Sequence, residues 1–119
     1  MGKPVIHFEI GCRDIAKTKA FYADLFGWQI QPPDPSALIE TENPAGIDGQ
    51  ITARGGKPPN YVTIYVQVDD LGACLAEAEQ LGGRTLVKPV ALPDGRRFAW
   101  LADPDGNTIG IITPGKQPA

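Results

Sequence analysis

A chain of 119 residues fits one domain, because two independent cores of half this size would each be marginal. Hydrophobic residues make up 42% and charged residues 21%, which is typical of a globular protein, and the net charge of −3 predicts no nucleic-acid partner. The sequence has neither a run of about 20 apolar residues nor the apolar stretch of a signal peptide, so we expect a cytoplasmic protein without a membrane partner.

The first part of the chain predicts one strand, one helix and three further strands. Val5–Ile10 alternates between apolar and polar residues, as a half-buried strand does. Asp14 is a candidate N-cap for a helix that begins at Ile15, and Gly27 can end that helix in a left-handed conformation. The apolar residues at helical spacing are Phe21, Tyr22, Leu25 and Phe26. The later strands are predicted at Trp28–Ile30, Ala37–Glu40 and Gly49–Ala53, with a proline-rich loop at 32–35.

The second part of the chain repeats this order. Tyr61–Val68 is rich in β-formers, Asp70 is a candidate N-cap, and Gly82 and Gly83 can end the helix that follows. The predicted apolar stripe of that helix is Leu71, Cys74, Leu75, Ala78 and Leu81. The remaining strands are predicted at Thr85–Val90, Arg97–Ala102 and Thr108–Thr113. Asp103–Asn107 has the composition of a hairpin turn, so its acidic residues are not interpreted as a catalytic pair.

The two parts overlay without a gap when 56 is added to each residue number of the first. Asp14 then meets Asp70, and Leu25 meets Leu81. The two parts share the helix N-cap, the apolar positions of the helix and the glycine that ends it, which indicates one structural unit used twice. We therefore predict a single domain over 1–119, with module one at about 4–54, a linker at 55–60 and module two at about 61–113. One helix packed on a sheet in each module gives an α+β fold.

Strand alternation divides the side chains of the first strand of each module between two faces. The residues predicted to face the helices are Phe8, Ile10, Ile64 and Val66. The residues predicted on the opposite face are His7, Glu9, Thr63, Tyr65 and Gln67. A polar sheet face can simply be solvated. The mixture of imidazole, carboxylate and phenol groups nevertheless favours a pocket for a small molecule. The two cysteines, Cys12 and Cys74, lack a secretory context and are expected to be reduced thiols.

Six segments resemble the vicinal oxygen chelate superfamily, which includes glyoxalase I, bleomycin-resistance and fosfomycin-resistance proteins and extradiol dioxygenases. The segments are His7–Ile10, Asp14–Ile15 and Phe21–Trp28 in the first half, and Tyr65–Leu71, Leu81–Gly83 and Asp103–Asn107 in the second. The resemblance covers about residues 4–113. It implies two βαβββ modules forming a U-shaped, mostly antiparallel sheet around a concave pocket, with helices on the outer face. It also implies a homodimer.

Metal-dependent members of that superfamily place one ligand on the first and one on the last strand of each module. The matching positions in this chain are His7, Gln50, Thr63 and Gly110. Only His7 is a good transition-metal ligand, and such sites need several imidazole, thiolate or carboxylate groups. We therefore expect no metal and no other cofactor. A divalent metal held by His7 and residues outside these positions is the alternative.

The resulting hypothesis is a metal-independent protein that binds a small organic molecule in its pocket. The candidate ligand-binding residues are His7, Glu9, Gln50, Thr63 and Tyr65, and His7 is the candidate catalytic base. One rival is a metal-dependent lyase or dioxygenase that uses His7 as a ligand. Another is an interaction module whose sheet face is covered by a partner chain. The sequence identifies no substrate and does not separate an enzyme from a binding protein.

Overall fold

The computed structural model describes residues 2–31, 36–53 and 60–115 and divides them among two helices and eight strands. In chain order these are β1 (Val5–Cys12), α1 (Ile15–Phe26), β2 (Gln29–Gln31), β3 (Ser36–Glu40), β4 (Gly49–Ala53), β5 (Tyr61–Gln67), α2 (Leu71–Gln80), β6 (Arg84–Ala91), β7 (Arg97–Ala102) and β8 (Thr108–Ile112). The order βαβββ occurs twice, which confirms the predicted α+β fold of two modules. The predicted proline-rich loop at 32–35 and all but Asn60 of the predicted linker lie outside the described residues.

The chain forms two compact units that nearly coincide with the two modules. The first unit is Ile6–Thr63, and the second is Met1–Val5 together with Ile64–Ala119. The boundary between them falls within β5, between Thr63 and Ile64, three residues into the predicted second module. Each unit has its own sheet pairing and its own cluster of buried apolar side chains.

In the first unit, β4 lies between β1 and β3, and β2 forms the edge. The β1–β4 pairing is parallel, with Glu9 opposite Gln50, whereas β3 is antiparallel to both β2 and β4. The caps of α1 are as predicted: the Asp14 carboxylate accepts the Lys17 N–H at 3.1 Å, and Gly27 has a φ of +72°. The core comprises Ile10, Cys12, Ile39 and Ile51, with Phe8, Ile15, Tyr22, Trp28, Ile30 and Ala53 packed against them.

The second unit repeats the arrangement, with β5 parallel to β8 and with β7 antiparallel to both β8 and β6. Asp70 caps α2 by accepting the Ala73 N–H at 3.0 Å. Asp103 makes the predicted β7–β8 turn, because its carboxylate accepts the N–H groups of Asp105 and Asn107, each at 2.9 Å. The core comprises Val68, Leu71, Leu75, Ala99 and Ile111, and Val66, Cys74 and Leu101 pack against it.

Several side chains predicted in the core are exposed instead. Leu81 is 72% exposed, because α2 ends at Gln80 and the next residue leaves the helical stripe. Ile64 is exposed as well, although its neighbour Val66 packs against the core as predicted. On α1 only Tyr22 of the predicted stripe packs inward, and the exposed residues are Phe21, Leu25 and Phe26. Helical spacing identified the apolar residues but not the face that is covered.

Neither cysteine forms a disulfide in the structure. Cys12 is buried and Cys74 is half-buried on α2. Burial raises the pKa of the Cys74 thiol, and the nearby Glu77 carboxylate acts in the same direction. Within the described ranges, neither helix is long and apolar enough to cross a membrane.

Candidate functional site

The predicted residues His7 and Gln50 meet on one face of the sheet of the first unit. Parallel pairing places Glu9 beside Gln50, so the His7 side chain, two residues earlier on β1, can reach the Gln50 amide on β4. The distance between His7 Nε2 and Gln50 Oε1 is 2.9 Å, and both side chains are half-buried. The pair thus combines an imidazole and an amide with partial access to solvent.

The amide of Gln50 also contacts two hydroxyl groups. Its Nε2 atom lies 3.0 Å from Ser36 Oγ and 3.0 Å from Thr52 Oγ1. These two residues are opposite each other in the β3–β4 pairing, and their oxygens are 3.2 Å apart. Neither hydroxyl is predicted from the sequence, because the contacts depend on how β3 is aligned with β4, which the sequence of a single strand does not specify.

Glu9 lies on the same strand as His7 but is 3% exposed. The Tyr61 hydroxyl donates a hydrogen bond to Glu9 Oε2. The Tyr61 ring lies over Gly11, where any Cβ atom would overlap it. A buried carboxylate is costly unless hydrogen bonds compensate for the water it loses, so Tyr61 stabilises Glu9 inside the unit. This role of Tyr61 was not predicted from the sequence, and the available signal was Gly11, a glycine within the otherwise β-forming run of β1.

The remaining predicted ligand-binding residues, Thr63 and Tyr65, are almost completely buried. Tyr65 is 5% exposed, and its hydroxyl accepts the Trp100 indole N–H at 2.8 Å. Tyr65 lies opposite Gly110 in the β5–β8 pairing, and a Cβ atom on that glycine would be 2.5 Å from the Tyr65 ring. The space beside Gly110 is therefore filled by a side chain of the second unit itself.

The four positions at which the superfamily resemblance expects metal ligands do not fit a divalent transition metal. His7 supplies one imidazole, and its Nε2 is already bonded to the Gln50 amide. Gly110 has no side-chain donor, and Thr63 offers only a neutral hydroxyl. Nowhere in the described ranges do three or more His, Cys, Asp or Glu side chains group so as to hold a metal ion.

An aromatic cleft of about 590 Å³ lies in the first unit, lined in part by the helix-facing side of β1. Phe8, Tyr22 and Trp28 contribute aromatic side chains, and the segment from Thr41 to Ile47 contributes most of the polar groups. The Tyr22 and Trp28 rings stack with their centroids 5.5 Å apart. Trp28 is therefore a packing residue whose exposed part borders a cleft, on the opposite face of β1 from His7.

The family model described as "Glyoxalase/Bleomycin resistance protein/Dioxygenase superfamily" matches residues 5–111. A glyoxylase-like domain-containing protein from Didymella fabae is 31% identical over 118 residues, which cover 91% of this chain and 92% of that protein. The anthracycline biosynthesis protein DnrV from Streptomyces peucetius is 27% identical over 128 residues. That match covers 91% of this chain but 46% of DnrV, so the chain spans about half of that relative.

Among solved structures, methylmalonyl-CoA epimerase from Mycobacterium tuberculosis superposes with a TM-score of 0.68 at 17% sequence identity. The superposition covers 94% of this chain and 88% of the epimerase. At this level of identity the likeness establishes a common fold.

Proposed function

The chain belongs to the Glyoxalase/Bleomycin resistance protein/Dioxygenase superfamily, and we propose that it binds a small organic molecule at His7 and Gln50 without a metal ion. The observation that carries the proposal is the 2.9 Å contact between these two side chains, which are half-buried rather than closed off. An imidazole and an amide offer hydrogen-bonding groups that can orient a polar ligand. Glu9, Thr63 and Tyr65 are at most 5% exposed, so His7 and Gln50 are the more accessible of the five predicted ligand-binding residues.

The names of two relatives support a small organic ligand. One solved structure with the same fold is a methylmalonyl-CoA epimerase, and one curated relative is an anthracycline biosynthesis protein. If the bound molecule is transformed, His7 is the candidate base, because an imidazole nitrogen can accept a proton from a bound ligand. The donor set at the four superfamily positions favours this chemistry over a metal-dependent lyase or dioxygenase.

A ligand screen by thermal shift tests the binding site. A compound at 100 times its Kd raises the free energy of unfolding by about 2.7 kcal/mol. We expect this stabilisation to be lost in His7→Ala and kept in Gln31→Ala, a matched change at an exposed residue of β2. Trp28→Leu tests the aromatic cleft on the other face of β1. Loss of stabilisation only in Trp28→Leu, or its persistence in His7→Ala, would contradict the proposed site.

Metal content tests the second half of the proposal. Protein purified without a chelator is expected to contain no stoichiometric nickel, zinc, manganese or iron by elemental analysis. A stoichiometric metal that disappears in His7→Ala would contradict the proposal and favour the metal-dependent lyase or dioxygenase. Incubating each ligand hit with the protein and analysing it by mass spectrometry then separates a binding protein from an enzyme.

We also propose that a second copy of the chain covers the exposed apolar side chains of α1. Phe21, Leu25 and Phe26 are each more than half exposed, and a group of large apolar residues on one helix is typical of an association surface. Light scattering after size exclusion is expected to give a dimer for the wild type and a monomer for Leu25→Glu. A monomeric wild type would contradict this assignment.

The two free thiols agree with a cytoplasmic location.

A further inference from the structure

The hydroxyl pair next to Gln50 determines which way the Gln50 amide faces. Three contacts connect the Gln50 amide, Ser36 and Thr52, at 3.0, 3.0 and 3.2 Å, and each contact needs one hydrogen atom. With the NH2 group toward the hydroxyls, the amide supplies two hydrogens and a hydroxyl supplies the third. With the carbonyl toward them, only the two hydroxyl hydrogens remain for three contacts. One pair of oxygens would then face each other without a hydrogen, so the first orientation is favoured.

This orientation determines where the proton on His7 lies. The carbonyl oxygen Oε1 of Gln50 then faces His7 Nε2 at 2.9 Å, and a carbonyl oxygen can only accept a hydrogen bond. The ring nitrogen that faces it must therefore carry a hydrogen. We infer that Gln50 is a positioning residue that keeps neutral His7 in its Nε2–H tautomer, with the lone pair on Nδ1.

What this tautomer means for a ligand rests on the proposed function, because it assumes that a ligand binds at His7. With Nε2–H bonded to Gln50, a ligand group that contacts Nδ1 of neutral His7 is one that donates hydrogen, such as a hydroxyl, a thiol or an N–H. A reaction at this site would begin with transfer of that hydrogen to Nδ1, while Nε2–H stays bonded to Gln50. The hydrogen bond that Nε2–H donates to Gln50 Oε1 also stabilises the imidazolium that forms, because the same oxygen accepts from both protonation states.

The experiment uses the only histidine in the sequence. Protein labelled with ¹⁵N-histidine and purified without a histidine tag gives imidazole signals from His7 alone. A long-range ¹H–¹⁵N spectrum at alkaline pH distinguishes a protonated from an unprotonated ring nitrogen. We expect Nε2 to be protonated and Nδ1 unprotonated in the ligand-free wild type. One net hydrogen bond corresponds to a preference about fivefold beyond that of free histidine.

Variants separate a positioning role from a structural one. Gln50→Leu is expected to shift both nitrogen signals toward those of free histidine, and the Ser36→Ala/Thr52→Val double variant to shift them part of the way. Gln29→Leu, a matched change at an exposed residue of β2, is expected to leave them unchanged.

A wild type with the proton on Nδ1, or with the tautomer ratio of free histidine, would overturn the inference even if no variant folds. Because the spectrum is recorded without ligand, a failed ligand screen would contradict the proposed function and leave this result standing.

Discussion

Gly110→Ala tests whether the Tyr65 ring fills the space beside β8. The new methyl group would lie 2.5 Å from the ring, and Tyr65 is held there by the hydrogen bond from Trp100. Overpacking a core costs about 1–3 kcal/mol, and displacing the ring from that hydrogen bond costs about 1 kcal/mol more. Replacing glycine returns about 0.5 kcal/mol by restricting the unfolded chain. The net loss is about 1.5–3.5 kcal/mol.

For 119 residues, an unfolding entropy of about 2.1 cal/mol/K per residue converts each kcal/mol into about 4 °C. Differential scanning calorimetry is therefore expected to show a Tm about 6–14 °C below that of the wild type. Gly72→Ala is the matched control, because this helical glycine has room for a Cβ, with Asp70 Oδ1 at 3.6 Å, and gains helix propensity.

A double variant isolates the contact itself. In a Tyr65→Leu background the ring is gone, so Gly110→Ala is expected to cost less than about 0.5 kcal/mol more than Tyr65→Leu alone. An equal cost of Gly110→Ala in both backgrounds would refute the claim that the Tyr65 ring occupies this space.

Two further predictions concern polar groups in the two units. Tyr61→Phe removes the hydroxyl that donates to buried Glu9 and is expected to lower the free energy of unfolding by about 1–3 kcal/mol, measured by urea denaturation at pH 7. The control is Tyr22→Phe, because the Tyr22 hydroxyl has no partner among the described residues. Equal effects of the two substitutions would contradict the prediction. The Asn107 side-chain and backbone N–H groups hold the pKa of Asp103 below its usual range. The ionised Asp103 carboxylate therefore stabilises the fold above the unfolded pKa of about 3.9. This contribution is lost as the pH falls through the lower pKa that Asp103 has in the folded protein. Asp103→Asn is therefore expected to lower the urea midpoint at pH 7 and to match the wild type once both are acidified below that folded value, whereas a constant difference at every pH would contradict the argument.

The features that sequence predicted well are those decided by neighbouring residues. Asp14 and Asp70 cap their helices and Gly27 ends α1, because a short acceptor side chain and a left-handed glycine act within one turn. The internal repeat also supported the predicted order of helices and strands along the chain, because the same pattern occurs twice. Burial on α1 was predicted poorly because it depends on which face a distant strand covers.

The candidate site was predicted in part for the same reason. Strand alternation put His7 and Glu9 on one face, and the superfamily resemblance supplied Gln50, so the contacting pair was among the predicted residues. Alternation does not reveal what fills a face, which is why Tyr65 proved to be closed in by its own unit and the role of Tyr61 was missed. Those contacts join residues 35 and 52 positions apart and depend on three-dimensional packing.

The repeat gives equivalent positions in the two modules. Glu9 shifted by 56 is Tyr65, and their partners across the parallel pairings are Gln50 and Gly110. In module one this position carries the hydrogen-bonding side chains of Glu9 and Gln50. In module two the aromatic ring of Tyr65 fills the space beside Gly110. Module two therefore lacks at this position the polar pair that module one carries on β1 and β4. Replacing Tyr65 by a smaller residue and Gly110 by a polar one would place a polar side chain in module two where module one has Gln50.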